Sequence, residues 1–305
     1  MGGDDTGGWT MTIRMLGASL VLVFAVAGAQ AQQKAKPEED GVKVGNKSRA
    51  LALASAEEVE GMAAHQYEDI KKQATQQNAL APDTYPPLLK LREIANKLIP
   101  NTARFNERAA KWKWEVNLIG SKQINAFCMP GGKIAFYSGI ITSLKLTDDE
   151  IAIVMGHEIA HALREHGRER VGKQRVAQGL TVAASVLSAI MGYGNLGGQI
   201  ASGGSQLMLL KYGRDDETEA DLVGLDLAAR SGFDPRAGVV LWNKMNAASK
   251  GQQPPQFAST HPSHATRIKE ITTHLKETLP LYAKTKGVDV AALPPYQSNF
   301  GEAIR

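Results

Sequence analysis

The sequence feature that most constrains this chain is a His-Glu-x-x-His pattern inside an apolar run, Ile151 to Leu163. Residues four positions apart lie on one face of an α-helix, so His157 and His161 project side by side, as two ligands of one tetrahedral zinc ion do. Glu158 follows the first histidine and can reach a metal-bound water as a general base. The pattern therefore predicts a buried helix that carries a metal site.

The start of this helix is also predicted. Thr147 is a good N-cap residue, and Glu150, three residues later, completes a capping box. Asp148 and Asp149 suit the positive end of the helix dipole. The alternative is a solvated helix whose histidines lie four apart by chance, which would explain neither the capped start nor the apolar flank. We therefore expect the motif to hold a metal.

Composition restricts the class of protein. The 305 residues are 43% hydrophobic, enough for a sizeable core in one or two domains. The formal net charge is +4, and the charges are interspersed rather than clustered, so no nucleic-acid partner is expected. Cys128 is the single cysteine, which rules out an intramolecular disulfide.

The first 31 residues have the features of a secretory signal peptide. The stretch 15–29 is almost wholly apolar, Arg14 precedes it, and residues 29–31, Ala-Gln-Ala, fit a small-x-small cleavage site. Met11 is an alternative start. An uncleaved anchor is the competing interpretation, although the apolar run is short for a membrane span. We expect export to the periplasm of a Gram-negative cell, without a lipid anchor, because no cysteine lies at the cleavage site.

Periodicity predicts the remaining elements. Residues 32–54 are polar and predict a disordered linker. Helices are expected from Ser55 to about Gln77 and from Leu88 to Ile99, and again after Ser263. Three short strands are expected at 112–118, 123–129 and 133–137, the first of them half-buried because apolar and polar residues alternate. Residues 180–210 predict two short helices with a mobile Gly-rich segment, either a lid over the cleft or an ordinary helical pair.

A zinc ion held by two histidines needs a third protein ligand and one open position. Glu217, Ala220, Asp221 and Gly224 share one face of a helix, and the two small residues would let that helix approach the metal helix closely. Glu217 is then the candidate ligand. Asp221, one turn later, is the candidate partner for the second ring nitrogen of a ligand histidine. The alternative interpretation of this acidic cluster is a solvated helix start.

Two nearby residues are expected to lie outside the metal site. Glu219 points away from the face of Glu217 and is expected to make a surface or interhelix ion pair. His166 lies off the face of His157 and His161, in a charged stretch that should leave the core, so we expect it to be exposed and not a ligand.

Four ordered motifs resemble the zinc peptidase family that includes HtpX, the CAAX prenyl protease, BepA and LoiP. They are the His-Glu-x-x-His motif, Arg-x-x-Glu-x-Glu-Ala-Asp-x-x-Gly from Arg214 to Gly224, Asn-Ala-Phe through Pro-Gly-Gly from Asn125 to Gly132, and Thr-His-Pro to Arg-Ile from Thr260 to Ile268. The resemblance implies an α+β, mostly helical, zincin-like metalloendopeptidase over residues 55–284. It implies a small sheet whose edge strand flanks the metal helix.

The same resemblance implies one zinc ion per chain, with His157, His161 and Glu217 as ligands. It also implies that His261 and Arg267 line the cleft as catalytic residues. There His261 either steadies the oxyanion or, in a resting state, occupies the open position of the zinc. Residues 285–305 are left as a C-terminal tail, so we expect a member without the helical-repeat domain of the BepA type.

The function implied by compartment and resemblance is cleavage of misfolded or damaged envelope proteins. The alternative is a latent or weakly proteolytic zinc protein that acts as a chaperone-like factor in outer-membrane protein assembly. Peripheral association with the outer membrane or its assembly machinery, and the oligomeric state, are left open. The substrate peptide is expected to add to the third predicted strand as to an exposed sheet edge, which binds backbone with little sequence preference. The candidate substrate contacts are Asn125, Gly132, Lys133, Ile134, Ala135 and Phe136.

Overall fold

The computed structural model describes residues 40–178, 212–249, 257, 261, 266–301 and 304. The predicted signal peptide and the whole of the predicted 180–210 helical pair lie outside these residues. The helices are α1 (Ala56–Gln76), α2 (Pro86–Leu98), α3 (Ser138–Leu144), α4 (Asp148–Leu163), α5 (His166–Gln178), α6 (Arg214–Arg230), α7 (Ala237–Ala248) and α8 (Arg267–Lys286), and the strands are β1 (Glu115–Ile119), β2 (Ala126–Met129) and β3 (Lys133–Tyr137). Within the described ranges, none of the helices has the length and apolar character needed to cross a membrane. The expected mostly helical α+β fold is confirmed.

Helix α4 carries the His-Glu-x-x-His motif and lies at the centre of the core. Its predicted capping box is confirmed: the Thr147 hydroxyl accepts from the Glu150 amide at 3.3 Å, and the Glu150 carboxylate accepts from the Thr147 amide at 2.8 Å. Every residue from Glu150 to Leu163 is buried. A helix buried on all sides must be surrounded, and α4 packs against β2 and against α2, α6 and α7.

The sheet has the strand order β1-β3-β2, with β3 parallel to β1 and antiparallel to β2. The prediction that β3 is an exposed edge is therefore wrong, because β3 is hydrogen-bonded on both sides. The Pro130-Gly131-Gly132 turn joins β2 and β3 as a hairpin, and β1 then pairs with the open side of β3. The edge strand that flanks α4 is β2.

Both faces of the sheet are covered. One face, which includes Phe127 and Tyr137, packs against α1, while the other, which includes Cys128 and Phe136, packs in the main core with α4. The half-buried first strand predicted from alternation is wrong: β1 begins at Glu115, and Val116–Ile119 are all buried. Successive side chains of β1 point into two different hydrophobic clusters, rather than alternately into a core and into solvent.

Helices α4 and α6 approach each other through two glycines. A Cβ at Gly224 would lie 2.7 Å from the His157 amide nitrogen, and a Cβ at Gly156 would lie 2.8 Å from the Gly224 carbonyl oxygen. The close approach predicted from Ala220 and Gly224 is confirmed, and Gly156 supplies the matching position on α4. The contact brings the acidic face of α6 within reach of the motif histidines.

Residues 40–54, here called the N-terminal arm, are ordered by contacts with distant helices, whereas composition predicted a disordered linker. The arm contains a 3-10 turn over Arg49–Leu53. The Arg168 guanidinium on α5 donates to the Ala54 carbonyl at 2.7 Å and to the Leu51 carbonyl at 2.8 Å. The Val42 amide donates to Asp226 on α6 at 3.0 Å. The arm therefore fastens α5 to α6.

The described part of the C-terminal tail returns to the start of α4. Tyr296 is buried, and its hydroxyl lies 3.3 Å from the Thr147 hydroxyl. Its backbone pairs with Ile304, whose carbonyl also accepts from Arg236 at 3.3 Å. The tail thus packs beside the N-cap of the metal helix.

Candidate metal centre

Four buried side chains converge between α4, α6 and the segment before α8. They are His157, His161, Glu217 and His261, whose ligand atoms all lie within 4.8 Å of one another. The Nε2 atoms of His157 and His161 are 3.1 Å apart, and each lies 3.6 Å from a carboxylate oxygen of Glu217. Helix α4 thus supplies two ligand atoms and α6 the third, as the residue spacing predicted.

The chemistry of these donors fits a metal ion. His157 Nδ1 lies 3.0 Å from the Asp221 carboxylate, which accepts its proton, so His157 presents an unprotonated Nε2 to the cluster. His161 Nε2 lies 3.1 Å from that atom, close enough for one cation to bind both nitrogens. Two imidazoles and a carboxylate are also the donor set of hydrolytic zinc sites. The cluster can therefore hold a metal ion.

Asp221 orients His157. Its Oδ1 lies 3.0 Å from His157 Nδ1, and both of its oxygens accept from Arg267, at 2.6 and 2.8 Å. Burial by itself would raise the pKa of Asp221, but the Arg267 guanidinium and the His157 hydrogen bond together hold the pKa below its usual value. Asp221 is thus an anionic acceptor that directs the Nε2 lone pair of His157 into the cluster.

Arg267 lies under the ligands rather than along an open cleft. It is 1% exposed, donates to Glu217 Oε2 at 2.6 Å, and packs 3.4 Å from the ring centre of Trp242. The expectation that Arg267 lines the cleft is therefore wrong, because its donors are used by Glu217 and Asp221. A buried cation between two carboxylates lowers the free energy of keeping both ionised.

His261 lies inside the ligand set. Its Nδ1 is 2.9 Å from Glu217 Oε1 and 3.2 Å from His157 Nε2. The Phe257 ring stacks on it with centroids 4.5 Å apart, and the Phe257 amide donates to the Ile124 carbonyl at 3.0 Å. His261 was expected either to steady the oxyanion or to occupy the open position of the metal. Its place beside Glu217 and His157 matches the second position, that of a fourth donor.

Glu158 has a different environment from Glu217. Among the described residues its buried Oε1 has no hydrogen-bond partner, and His261 Nε2 lies 3.5 Å away from it. Burial raises the pKa of Glu158 to about 7, with His261 opposing the shift. A carboxyl whose pKa lies near neutrality can accept and return a proton at neutral pH.

The edge strand β2 directs backbone groups towards this site. In an antiparallel pair, alternate residues point their N–H and C=O groups away from the partner strand. Because Tyr137 N donates to Asn125 O, those residues on β2 are Ala126 and Cys128. The Cys128 backbone N–H donates to Glu158. The predicted position of a substrate strand along β3 is therefore wrong, and among the described strands β2 has the edge that no strand pairs with.

The six predicted substrate contacts are distributed accordingly. Asn125 is buried and its side chain accepts from the Ala126 amide at 3.0 Å, just before the edge strand. Gly132 lies in the hairpin turn, with a φ of 77°. Lys133, Ile134, Ala135 and Phe136 belong to the central strand, whose backbone is paired on both sides.

The prediction that His166 is exposed is wrong, although His166 is not among the four side chains that converge as candidate ligands. His166 is 3% exposed, and its Nδ1 lies 2.9 Å from His161 Nδ1. Helix α4 ends at Leu163, and Glu165 has a φ of 62°, so the chain turns and a new helix begins at His166. Because His161 and His166 lie on different helices, their spacing in the sequence does not predict which way His166 points. Nothing in the local pattern marks Glu165 as the residue that breaks the helix.

Tyr212 is a second residue that the sequence reasoning missed. Its ring stacks on that of His161, with centroids 3.8 Å apart and planes 21° apart. It lies just before α6 and is buried. An aromatic residue beside an acidic cluster carries no periodic signal, so only the packing of α6 against α4 reveals this contact.

Comparisons with known proteins agree with this site. The model of peptidase family M48 matches residues 89–275. The mitochondrial metalloendopeptidase OMA1 of Schizosaccharomyces pombe is 33% identical over 200 residues, which cover 65% of this chain and 56% of that protein. OMA1 of Saccharomyces cerevisiae is 28% identical over 245 residues, covering 77% of this chain and 68% of that protein.

A bacterial relative has a different name. The beta-barrel assembly-enhancing protease of Yersinia pestis is 30% identical over 217 residues, which cover 67% of this chain and 43% of that protein. The chain thus spans between about two-fifths and two-thirds of the length of these three relatives. The residues matched by the family model include the strands, the His-Glu-x-x-His helix and α6.

Proposed function

Since the chain belongs to peptidase family M48, we propose that it is a zinc-dependent endopeptidase that cleaves misfolded or damaged envelope proteins in the periplasm. The observation that carries this proposal is the convergence of His157, His161 and Glu217 beside an unpartnered Glu158 carboxylate oxygen. The names of the relatives support a metalloendopeptidase, and the signal-like N-terminus supports export.

In this proposal His157, His161 and Glu217 hold one zinc ion. Zinc in such a site supplies Lewis-acid activation of a water molecule and of the scissile carbonyl. Asp221 keeps His157 in the tautomer that ligates through Nε2. Arg267 holds Glu217 and Asp221 ionised and in place, and so acts through the ligands rather than on the substrate.

Glu158 is the proposed general base. Its Oε1 has no partner among the described residues, so it is free to accept a proton from the attacking water. The Cys128 amide holds the carboxylate in orientation from the edge strand. Glu158 then returns the proton to the leaving amine, a transfer that a pKa of about 7 suits.

Substrate backbone is proposed to pair with the free edge of β2. The Ala126 and Cys128 carbonyls point to this side, so an extended peptide can bind through its own N–H groups. Such pairing reads backbone more than side chains, as clearance of unfolded proteins requires. Asn125 lies at the start of the same edge. A role in outer-membrane assembly is supported by relatives named beta-barrel assembly-enhancing protease, such as that of Yersinia pestis.

A specific observation favours a second candidate, a latent or chaperone-like zinc protein. His261 is placed as a fourth donor, 2.9 Å from Glu217 Oε1. A metal with four protein ligands has no open position for substrate. In this state cleavage would require His261 to move away from the ligand set.

One comparison tests the proposed function. Wild type and Glu158→Gln are incubated with casein as an unfolded substrate, and the zinc content of both is measured. We expect about one zinc per chain in each and cleavage by wild type only, because the amide cannot accept the proton. Absence of zinc from wild type would contradict the proposal. If both hold zinc and neither cleaves, His261→Ala separates the candidates: restored cleavage means a latent protease.

A further inference from the structure

We propose that His166 and Glu219 form a hydrogen-bonded relay that positions the metal-site histidine His161. His166 Nδ1 lies 2.9 Å from His161 Nδ1, and His166 Nε2 lies 3.0 Å from Glu219 Oε2. The inference rests on the proposed zinc site and assigns a role to two residues that the site described above does not use.

The two motif histidines have different partners on the side away from the cluster. His157 Nδ1 meets a carboxylate directly, at Asp221. His161 Nδ1 instead meets another imidazole, and the carboxylate lies one step further out, at Glu219. A ligating histidine needs an acceptor for its second N–H, since that bond fixes its tautomer and ring orientation. For His161 the described residues offer His166 in this position.

Only one arrangement of protons satisfies both hydrogen bonds when His161 ligates through Nε2. His161 then carries its proton on Nδ1 and donates it to His166 Nδ1. His166 must therefore carry its own proton on Nε2, where Glu219 accepts it. The Glu219 carboxylate thus selects the His166 tautomer, and His166 selects the His161 tautomer.

The relay is anchored at its outer end. Arg164 Nε lies 2.9 Å from Glu219 Oε2, and another Arg164 nitrogen donates to the Gly45 carbonyl of the N-terminal arm at 2.5 Å. The Glu219 carboxylate is thus held between the His166 ring and the Arg164 guanidinium. Since His166 is buried, water cannot readily replace it as the acceptor for His161.

Helix α5 supports His161 in a second way. The Arg170 guanidinium lies 4.3 Å from the ring centre of Tyr212, whose ring stacks on His161. His166 and Arg170 are four residues apart and so lie on the same face of α5. The first turns of α5 therefore support His161 at its edge through His166 and at its face through Tyr212.

Three substitutions separate an acceptor from a packing residue. His166→Asn keeps an acceptor, because Asn Oδ1 occupies roughly the place of His Nδ1. His166→Leu keeps apolar bulk without an acceptor, and His166→Ala removes both. His274→Ala is the matched control: His274 lies 3.0 Å from Glu277 on α8, in a partly exposed His–Glu pair.

Zinc affinity of the full chain is measured by competition with a chromophoric chelator, and folding of each variant is checked by circular dichroism. We expect His166→Leu and His166→Ala to bind zinc about 10–100-fold more weakly than wild type. His166→Asn should lie much nearer to wild type, and His274→Ala should match it. Glu219→Gln, which keeps an oxygen but loses the charge, should fall between Asn and Leu.

The outcomes distinguish this inference from the proposed function. A wild type that binds no zinc overturns both. If His166→Leu binds zinc as tightly as wild type, the relay is overturned, while the proposed zinc site stands. An Asn variant as weak as the Leu variant also overturns it, because the acceptor would then not matter. If the Leu and Ala variants do not fold, the zinc affinities of wild type, His166→Asn and Glu219→Gln decide. The relay predicts that affinity falls in that order, and a Glu219→Gln that binds as tightly as wild type overturns it.

Discussion

At the scale of single residues, the distance between the two metal helices depends on glycine. Gly156 and Gly224 face each other where α4 crosses α6, and neither position has room for a Cβ. The neighbours of Gly224 are backbone atoms of Gly156 and His157, which cannot rotate aside. Glu217, two turns before Gly224 on the same face, reaches the cluster only because the helices are this close.

Gly224→Ala should therefore destabilise the chain by about 1–3 kcal/mol through overpacking and weaken zinc binding, because Glu217 is pushed outward. Gly61→Ala is the control: this glycine lies in α1 with nothing near its Cβ position. There the same change should stabilise by about 0.5–1 kcal/mol, since alanine has the better helix propensity. Chemical denaturation of both variants measures the difference. A stabilising Gly224→Ala and a destabilising Gly61→Ala would contradict the close-contact argument.

At the scale of elements, the N-terminal arm shows how a polar segment becomes ordered. Guanidinium groups at the end of α4, on α5 and on α6 donate hydrogen bonds to backbone carbonyls of the arm. In the other direction, the Val42 amide donates to Asp226. Hydrophobic periodicity does not register such contacts, because they are polar bonds to residues distant in the chain. Through Arg164 the arm also touches the outer end of the His166 relay.

The ion pair between Asp40 and Arg230 makes one arm contact pH-dependent. The Arg230 hydrogen bond, at 2.7 Å, holds the pKa of Asp40 below its usual value. Because the folded pKa lies below the unfolded one, the stabilisation is fully present above the unfolded pKa of about 3.9 and is lost as pH falls through the folded pKa. Asp40 is 32% exposed, so the contribution is less than about 1 kcal/mol.

Asp40→Asn should accordingly lower the free energy of unfolding at pH 7 by less than about 1 kcal/mol. The difference from wild type should shrink as the pH falls below the unfolded pKa of about 3.9 and through the lowered folded pKa. Urea denaturation of both proteins at pH 7 and at a pH below the unfolded pKa measures it. Asp69→Asn, in an ion pair with Lys72 that is mostly exposed, serves as the control and should change little at either pH. A difference independent of pH would show that the Asp40 charge is not involved.

At the scale of the whole molecule, the metal cluster joins segments that are far apart in the chain. Helix α4, helix α6 and residue 261 each contribute candidate ligand atoms, and α8 contributes the Arg267 guanidinium beneath them. The Nε2 atoms of His157 and His161 lie 3.1 Å apart, so one cation can bind both. Metal binding should therefore stabilise the packing of α4, α6 and α8 together.

Removal of the metal by a chelator should lower the thermal midpoint of wild type. A ligand at about 100 times its Kd stabilises by roughly 2.7 kcal/mol, which corresponds to about 5–10 °C for a domain of this size. Differential scanning calorimetry with and without chelator measures the shift. His161→Ala lacks one ligand, so its midpoint should not respond to the chelator. An identical shift in that variant would mean that the stabilising ion binds elsewhere.

The sequence by itself determined those parts of the protein that depend on local physics. Helix α4 with its Thr147–Glu150 capping box, the hairpin turn at 130–132, and the shared face of Glu217, Asp221 and Gly224 all follow from spacing along one element. The convergence of His157, His161 and Glu217 followed as well, because a metal site requires a third ligand and small residues allow helices to approach.

Only the tertiary structure decided what depends on partners distant in the chain. Strand β3 is central because β1, separated from it in sequence, pairs with its open side, and that pairing leaves β2 as the edge. His166 is buried because the chain turns at Glu165 and α6 brings Glu219 to meet it. The N-terminal arm is ordered because arginines more than a hundred residues away bind its carbonyls. In each case the free energy comes from non-local contacts, which the pattern of a single segment does not contain.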